Sequence, residues 1–402
     1  MHVLALNPGS SSLRFQVVDV RREGAGWLAC RLGGGGIAGL AGQGEGRGRA
    51  TLRARLAGTE AEFLAVDVQD HAAGLERALQ WLQDKGLGFE TAAVRVVHGG
   101  GSREAARAVD ADLLARLARF RELAPLHDGP ALALIEELRR KAGVRVFAAF
   151  DSAFFADLPE VARTYGLPRD LALRHGVRRI GFHGFALTSV LEKQRGVHGA
   201  DGGALRMVVA HLGGGASVTA VRDGRPVDTS MGFTPLEGLV MGTRCGDLDP
   251  ALVPWLARAE GCSAELILER LNRDSGLLGL SGVSGDMREI ERLRAAGDPR
   301  ASLAFGVFVH RARRHIAAAM ASLGGADLLV FSGGIGENSP LVRATITDSL
   351  AWCGVRLDPQ RNAEGGLEAT ISTEDSPVRV QVIGVDEESP MARAAARAAL
   401  AD

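Results

Sequence analysis

An α/β fold built in two related halves is what this sequence predicts, on three observations. An apolar strand, a tight loop of small residues and a second strand occur twice, at residues 3–18 (VLALNPGSSSLRFQVV) and 207–221 (MVVAHLGGGASVTAV). Strand-like apolar runs alternate with helical patterns through both halves, the signature of sheets flanked by helices. The chain has 402 residues, 46% of them hydrophobic, enough for two cores and long for one.

The elements follow in order. After the first strand pair, the Gly-rich stretch 33–48 lacks helical period and reads as hairpin loops, with a strand at 51–56. Residues 71–85 form an amphipathic helix with Leu75, Ala78, Leu79 and Leu82 on one face. A buried strand at 92–97 ends at His98, helices are predicted over 110–120 and 130–142, and a strand at 144–150 stops at Asp151. The second half repeats the plan. Strands at 206–210 and 217–222 flank its Gly loop, and Asp223-Gly224 is a hairpin signal. Helices are expected at 251–260, 263–272, 287–296 and 301–323. Strands are expected at 327–331 and 378–383. The last helix covers 390–400, with Pro390 suited to a first turn.

Composition narrows the function classes. Lys plus Arg number 47 and Asp plus Glu 48, a net charge of −1 with no sustained basic stripe, which argues against a nucleic-acid surface. The basic residues are almost all Arg; the lysines are Lys85, Lys141 and Lys193. Cys30, Cys245, Cys262 and Cys353 form no CxxC pair, so neither zinc nor a disulfide framework is expected, and a reducing cytoplasm is the simplest setting. The N-terminus enters a strand at once rather than a signal peptide. No uncharged apolar run reaches the ~18 residues of a membrane span.

Ligands of open α/β sheets bind beyond the carboxyl ends of the strands, and polar clusters fall there. Asn7, Ser10, Ser11 and Ser12 follow the first strand, Arg95 and His98 close another, and Asp151 and Ser152 follow a third. In the second half, His211 enters the Gly loop, residues 333–338 follow a late strand, and Glu387 and Glu388 follow the last. These residue types suit phosphoryl transfer, whose dispersed negative charge calls for donors and cations around the migrating group. Arg95 and Arg244 are the best cations, because guanidinium offers a rigid fork for phosphate or carboxylate. Asp151 and Glu387 are candidate outer holders of Mg2+, and His183 is a candidate donor. Each position has a plainer explanation: a Ser-rich turn, a helix N-cap at Asp151, histidines bonded to backbone, and glutamates favouring a helix dipole.

The motifs together resemble the acetokinase family, the acetate kinases, within the sugar kinase, heat-shock protein and actin superfamily. NPGSSSLRF and AHLGGGASV carry the likeness, with RVVHGG, APLH, FDSAF, RRIGFHG, DTSMGFTPLEGLVMGTRCGDLDP and GGIGENSPLVR in the same order, from residue 3 to about 393. The resemblance implies two duplicated actin-like (ribonuclease H-like) domains with mixed central sheets and an active-site cleft between them. One would comprise residues 1–152 plus 384–402. The other, residues 153–383, would bind nucleotide and form a homodimer. It implies ATP contacts from Asn7, Ser10, Ser12, Arg14, His211, Leu212, Gly213, Gly214, Gly215, Gly333, Gly334, Ile335, Gly336, Glu337 and Asn338. Arg95 and Arg244 would hold the acyl carboxylate and the transferring group, and His183 would stabilise the transition state. Asp151 would be catalytic, Asn7 and one of Glu387 and Glu388, chosen as Glu387, would place Mg2+ (or Mn2+), and Val97, Leu126, Phe182 and Pro235 would line the acyl pocket.

Departures from the family pattern surround these residues. Arg14 stands for Lys, Gly214 for Asn, Phe155 for His, Asp128 and Asp386 for Asn, and Cys245 for Ser; Phe185-Ala186-Leu187 replaces Thr-Ser-His. The function expected is reversible, direct in-line transfer of the ATP γ-phosphoryl group to acetate, giving acetyl phosphate and ADP. Propionate or another short acyl acceptor, and another donor such as pyrophosphate, are alternatives within the same chemistry. A nucleotide-binding paralogue with weakened turnover is the alternative outside it.

Overall fold

In a computed structural model, described over residues 1–9, 11–24, 26–40, 50–120, 125–199 and 203–401, the chain divides into two units. One comprises Met1–Ala156, Gly184–Ser189 and Asp386–Asp402; the other comprises Asp157–His183 and Val190–Val385.

The first unit is built on β1 (His2–Pro8), β2 (Ser12–Glu23), β3 (Gly26–Ala38), β4 (Ala50–Leu56), β5 (Glu62–Val66), β6 (Thr91–Val96), β7 (Ala106–Ala108) and β8 (Arg145–Phe150). They form one sheet in the order β5-β4-β3-β2-β1-β6-β8-β7. The meander from β1 to β5 is antiparallel, while β1, β6 and β8 run parallel. Alternation along β1 divides the core: Leu4 and Leu6 pack on the face with Leu75, Leu82 and Ile135, and Val3 and Ala5 on the face with Met391, Ala392, Ala395 and Ala396. The alanines belong to the helix Glu388–Ala401, whose small side chains let it lie close to the sheet.

The Gly run is a correction. Residues 33–38 are the end of β3, not loop; residues 41–48 of that stretch lie outside the described residues. Crowding explains the composition: a Cβ on Gly34 would sit 2.3 Å from the Phe15 carbonyl oxygen, and one on Gly35 2.1 Å from that of Arg53. The run mimics a loop in sequence, but Gly34 and Gly35 admit two close strands. The helix expected from residue 130 begins at Pro125 and runs to Arg139, with Pro130 inside it. Proline is disfavoured beyond a first turn, which made Pro130 look like a start.

The second unit contains β9 (Arg206–Leu212), β10 (Ala216–Arg222), β11 (Arg225–Thr229), β12 (Leu328–Ser332), β13 (Ala369–Thr370) and β14 (Arg379–Val382), ordered β11-β10-β9-β12-β14-β13. Here β11, β10 and β9 are antiparallel, and β9, β12 and β14 parallel. That is the order and sense of β3-β2-β1-β6-β8, so the duplicated actin-like architecture is visible strand by strand. The helix Pro299–Leu323 buries Ala304, Phe308, Ala312, Ile316, Ala319 and Leu323; Asp298 caps it by accepting the N–H groups of Arg300 and Ala301, with Pro299 in its first turn. Residues 333–338, which follow β12, form a short helix, Gly333–Asn338. No helix among the described residues is long and apolar enough to cross a membrane, and all four cysteines are free thiols.

Candidate active site

In the first unit, three neighbouring parallel strands bring polar groups to their carboxyl ends. Asn7 closes β1, Arg95 lies on β6 and Asp151 follows β8; the pairings Leu6 with Val94 and Arg95 with Ala149 set them level. Arg95 Nη2 donates to Asp151 Oδ2 at 2.7 Å and Nη1 to Asn7 Oδ1 at 3.0 Å, with Glu387 Oε2 3.6 Å from Nη1. Asn7 Nδ2 donates to Glu387 Oε2 at 2.6 Å and to Glu388 Oε1 at 3.3 Å. Asp151 is fully buried, and its Oδ1 accepts the N–H of Phe185 at 3.2 Å. Asp151 thus reaches the first turn of the helix Gly184–Lys193, whose N-cap position is His183, as well as pairing with Arg95.

Three buried carboxylates, Asp151, Glu387 and Glu388, surround one guanidinium. Burial alone would lower the Arg95 pKa, but Asp151 and Glu387 outweigh it and push it above the usual arginine range. Burial, then the Glu387 charge, raises the Glu388 carboxyl, which exposed Arg14 partly offsets. Asp386 is used structurally: it accepts the N–H and hydroxyl of Ser389. The turn between β1 and β2 is closed by Gly9 N–H donating to the Ser12 carbonyl at 2.8 Å; Ser10 lies outside the described residues, as does the side chain of Leu126. Val97 is buried, and its N–H and that of His98 both reach Asp128 Oδ1. His98 follows the plainer explanation: its Nδ1 accepts Gly100 N–H and its ring stacks on Phe120.

In the second unit, His211, in β9 rather than in the loop after it, places its ring 4.6 Å from that of His183 and its Nδ1 3.2 Å from Ser332 Oγ. His183 Nδ1 lies 2.9 Å from Ser217 Oγ. After Leu212, the loop Gly213, Gly214 and Gly215 is tied by Gly213 N–H to the Gly215 carbonyl and by Gly242 N–H to the Gly214 carbonyl. A Cβ on Gly215 would stand 2.8 Å from Arg244 Nη2 and 3.3 Å from His183 Nε2, so glycine there lets both side chains reach the loop. Arg244 is buried, with Nη1 donating to the Pro235 carbonyl at 2.8 Å. Phe182 and Pro235 are buried in this unit, whereas Val97 belongs to the first. In the helix after β12, Glu337 Oε1 accepts the N–H groups of Gly333 and Val385, and Asn338 Nδ2 donates to the Gly334 carbonyl.

Supporting residues that sequence reasoning missed are now visible. Arg343, 1% exposed, donates to the carbonyls of Gly336 and Glu337 and to Asn362, pinning the end of the helix Gly333–Asn338; burial pushes its pKa down to about 10. Glu237 joins three segments. Its Oε2 accepts the Tyr165 hydroxyl at 2.5 Å and its Oε1 accepts Arg179 Nη2 at 2.6 Å, while Tyr165 Oη accepts Phe233 N–H. Arg179 also holds the carbonyls of Thr229, Ser230 and Met231. The segment bearing Phe182 and His183 is thereby tied to the one bearing Pro235. Burial, then Glu237, raises the Tyr165 phenol above its ordinary pKa. As this is the one tyrosine, phenolate absorbance is expected to appear only when the protein unfolds. Tyr165→Phe, which orphans Phe233 N–H, is expected to cost about 1–2 kcal/mol in urea unfolding; phenolate rising at its ordinary pKa in the folded protein would refute this arrangement.

The acetokinase family profile matches residues 2–393. The chain belongs to the acetokinase family. Curated acetokinase relatives include the acetate kinase of Moorella thermoacetica, 39% identical over 98% of both chains, and that of Heliobacterium modesticaldum, 38% identical over 98% of both. Among solved acetokinase structures, a propionate kinase from Francisella tularensis superposes with a TM-score of 0.86 at 32% identity, covering 98% of this chain and 99% of the other. The acetate kinase of Porphyromonas gingivalis gives 0.80 at 36% identity, covering 99% of both.

Proposed function

We propose that this chain reversibly transfers the γ-phosphoryl group of ATP to acetate, giving acetyl phosphate and ADP, in one in-line step without a phosphoenzyme. The observation that carries this reading is the likeness to acetate kinases over 98% of the chain. Arg95, half-buried beside the first-unit carboxylates, and Arg244, buried beside the second-unit glycine loop, support it.

The first unit's donor set fits a divalent cation. Asp151, Glu387 and Glu388 exceed the charge of Arg95, and a buried surplus of negative charge calls for a counter-ion. No group of three or more His, Cys, Asp or Glu among the described residues is arranged to hold a metal alone; Mg2+ usually completes its shell with water and substrate phosphate. Asn7 and Glu387 would hold it, and its charge would neutralise the nucleotide phosphates. Arg95 binds the acyl carboxylate, in the orientation that Asp151 and Asn7 impose. Arg244 meets the charge on the migrating group, held by Pro235. His183, whose Nδ1 lies 2.9 Å from the Ser217 hydroxyl oxygen, presents Nε2–H as a further donor in the tautomer in which Nδ1 accepts from that hydroxyl. The backbone of residues 213–215 and 333–338 lies along the nucleotide. Val97, Leu126, Phe182 and Pro235 receive the methyl group. Because these charges are met by fixed groups, no covalent intermediate is required.

Propionate is the second acceptor to weigh, given the 0.86 superposition on a propionate kinase. Trapping acyl phosphate as hydroxamate with acetate, propionate and butyrate, across ATP, other nucleotides and pyrophosphate, tests the reading. The expected result is highest kcat/KM with acetate and ATP, falling about 10-fold or more by butyrate, since a methylene is worth about 1–3 kcal/mol. A preference for propionate, or for a donor other than ATP, would overturn the assignment at Gly214 and Arg14 or at the pocket. Nucleotide binding with no acyl phosphate from any pair would favour the non-catalytic alternative. Dimerisation through the second unit belongs to the same reading, and sedimentation tests it.

A further inference from the structure

Asp128 is a buried carboxyl that the reaction above does not use. It sits in the helix Pro125–Arg139 and is 1% exposed. Its Oδ1 accepts two backbone N–H groups, from Val97 at 3.1 Å and His98 at 3.2 Å. Its Oδ2 is buried and has no hydrogen-bond partner among the described residues. A carboxylate in this setting is badly served: two donors crowd one oxygen while the other is stripped of water and left bare. A protonated carboxyl is better served, since its hydroxyl oxygen needs no share of negative charge.

We propose that Asp128 is a positioning residue for the acyl end of the site, acting as a neutral group with Oδ1 as acceptor for Val97 and His98 and Oδ2 carrying a proton. In this form it has the donor and acceptor pattern of an asparagine. The inference rests on the reading that Val97 lines the acyl pocket. Ionised, the same side chain places a negative charge behind Val97 that acts on Arg95, the group that holds the acceptor's own carboxylate.

The balance of influences on Asp128 is clear. Burial dominates and pushes its pKa up to about 7; the two N–H groups and the Arg95 charge pull the other way and are outweighed. Of the elements packed on this helix, β6 supplies Arg95 and, beyond its end, His98, whose ring stacks on Phe120 of the helix Ala111–Phe120. Among the described residues no other charged side chain acts on it.

Asp128→Asn tests the proposal by two readouts. The first is thermal stability against pH and needs no activity. A raised carboxyl pKa means that the folded state binds the extra proton, so its stabilising contribution is lost as pH rises from the ordinary Asp value of about 3.9 to about 7, and is constant above. The expected result is that wild-type Tm falls relative to that of Asp128→Asn across this window and then runs parallel. Superimposed profiles would overturn the proposal.

The second readout is KM for acetate between about pH 6 and 8.5, a span bracketing the carboxyl's titration. Wild-type KM is expected to rise about 5-fold or more, with kcat changing less, while Asp128→Asn shows no such rise. Asp128→Ala, which orphans both N–H groups, should raise KM at every pH. Parallel KM profiles for wild type and Asp128→Asn, in an enzyme that turns acetate over, would overturn the positioning role and leave the function standing. Absence of acetate turnover in the wild type would instead overturn the functional reading, and the positioning role with it.

Discussion

Replacing Arg244 with alanine is expected to lower turnover at least about 100-fold, the loss typical of removing one preorganised donor from a charge-developing centre, about 2.7–4 kcal/mol. The guanidinium is buried, held by the Pro235 carbonyl, and lies against the position a side chain on Gly215 would occupy. Such a group is oriented before the reaction and has little water to reorganise. Arg244→Lys restores charge but not the planar fork, so it should recover only part of the rate. Initial rates of acyl hydroxamate formation, with circular dichroism to confirm folding, measure this. A folded Arg244→Ala enzyme with turnover within about 10-fold of wild type would remove Arg244 from the chemistry.

Arg95→Ala is expected to do more, because it strikes stability as well as turnover. It strips the counter-charge from Asp151, which is fully buried, and from Glu387 and Glu388, both under 10% exposed. Breaking a buried ion pair from one side typically costs about 3–5 kcal/mol. The cost should depend on pH. Without the guanidinium, Glu388, whose carboxyl burial and the Glu387 charge already raise, loses a neighbouring cation. Folding then takes up protons, and stability falls as pH rises above the ordinary carboxylate range. The deficit relative to wild type should therefore be largest near neutrality and shrink in mild acid. Urea midpoints at several pH values test this, and a deficit unchanged by pH would show that Arg95 contributes packing alone.

Much of the site was legible because its residues close strands. Asn7, Arg95 and Asp151 end or follow three apolar runs, and a parallel sheet collects such ends on one edge. His183, Arg244 and the loop at Gly213 stood out through motif spacing in the same way. Glu237, Tyr165 and Arg343 gave no comparable signal, since each acts through a partner distant in the chain. Tyr165 and Glu237 are 72 residues apart, with nothing in either neighbourhood to announce the pairing. The glycines of β3 misled for a different reason: their composition is that of a loop, and only the closeness of β2 and β4 shows why side chains are excluded.

Family, internal duplication and the location of most strands and helices were determined by the sequence alone, because periodicity, loop chemistry and motif order are properties of short contiguous stretches. The tertiary structure alone decided which groups face one another and which lose their water. Asn7 meets Glu387 across 380 residues, and one oxygen of Asp128 is buried without a hydrogen-bond partner among the described residues. Charge state and hydrogen-bond satisfaction depend on the surroundings that packing creates, and those surroundings are assembled from parts of the chain that no local pattern connects.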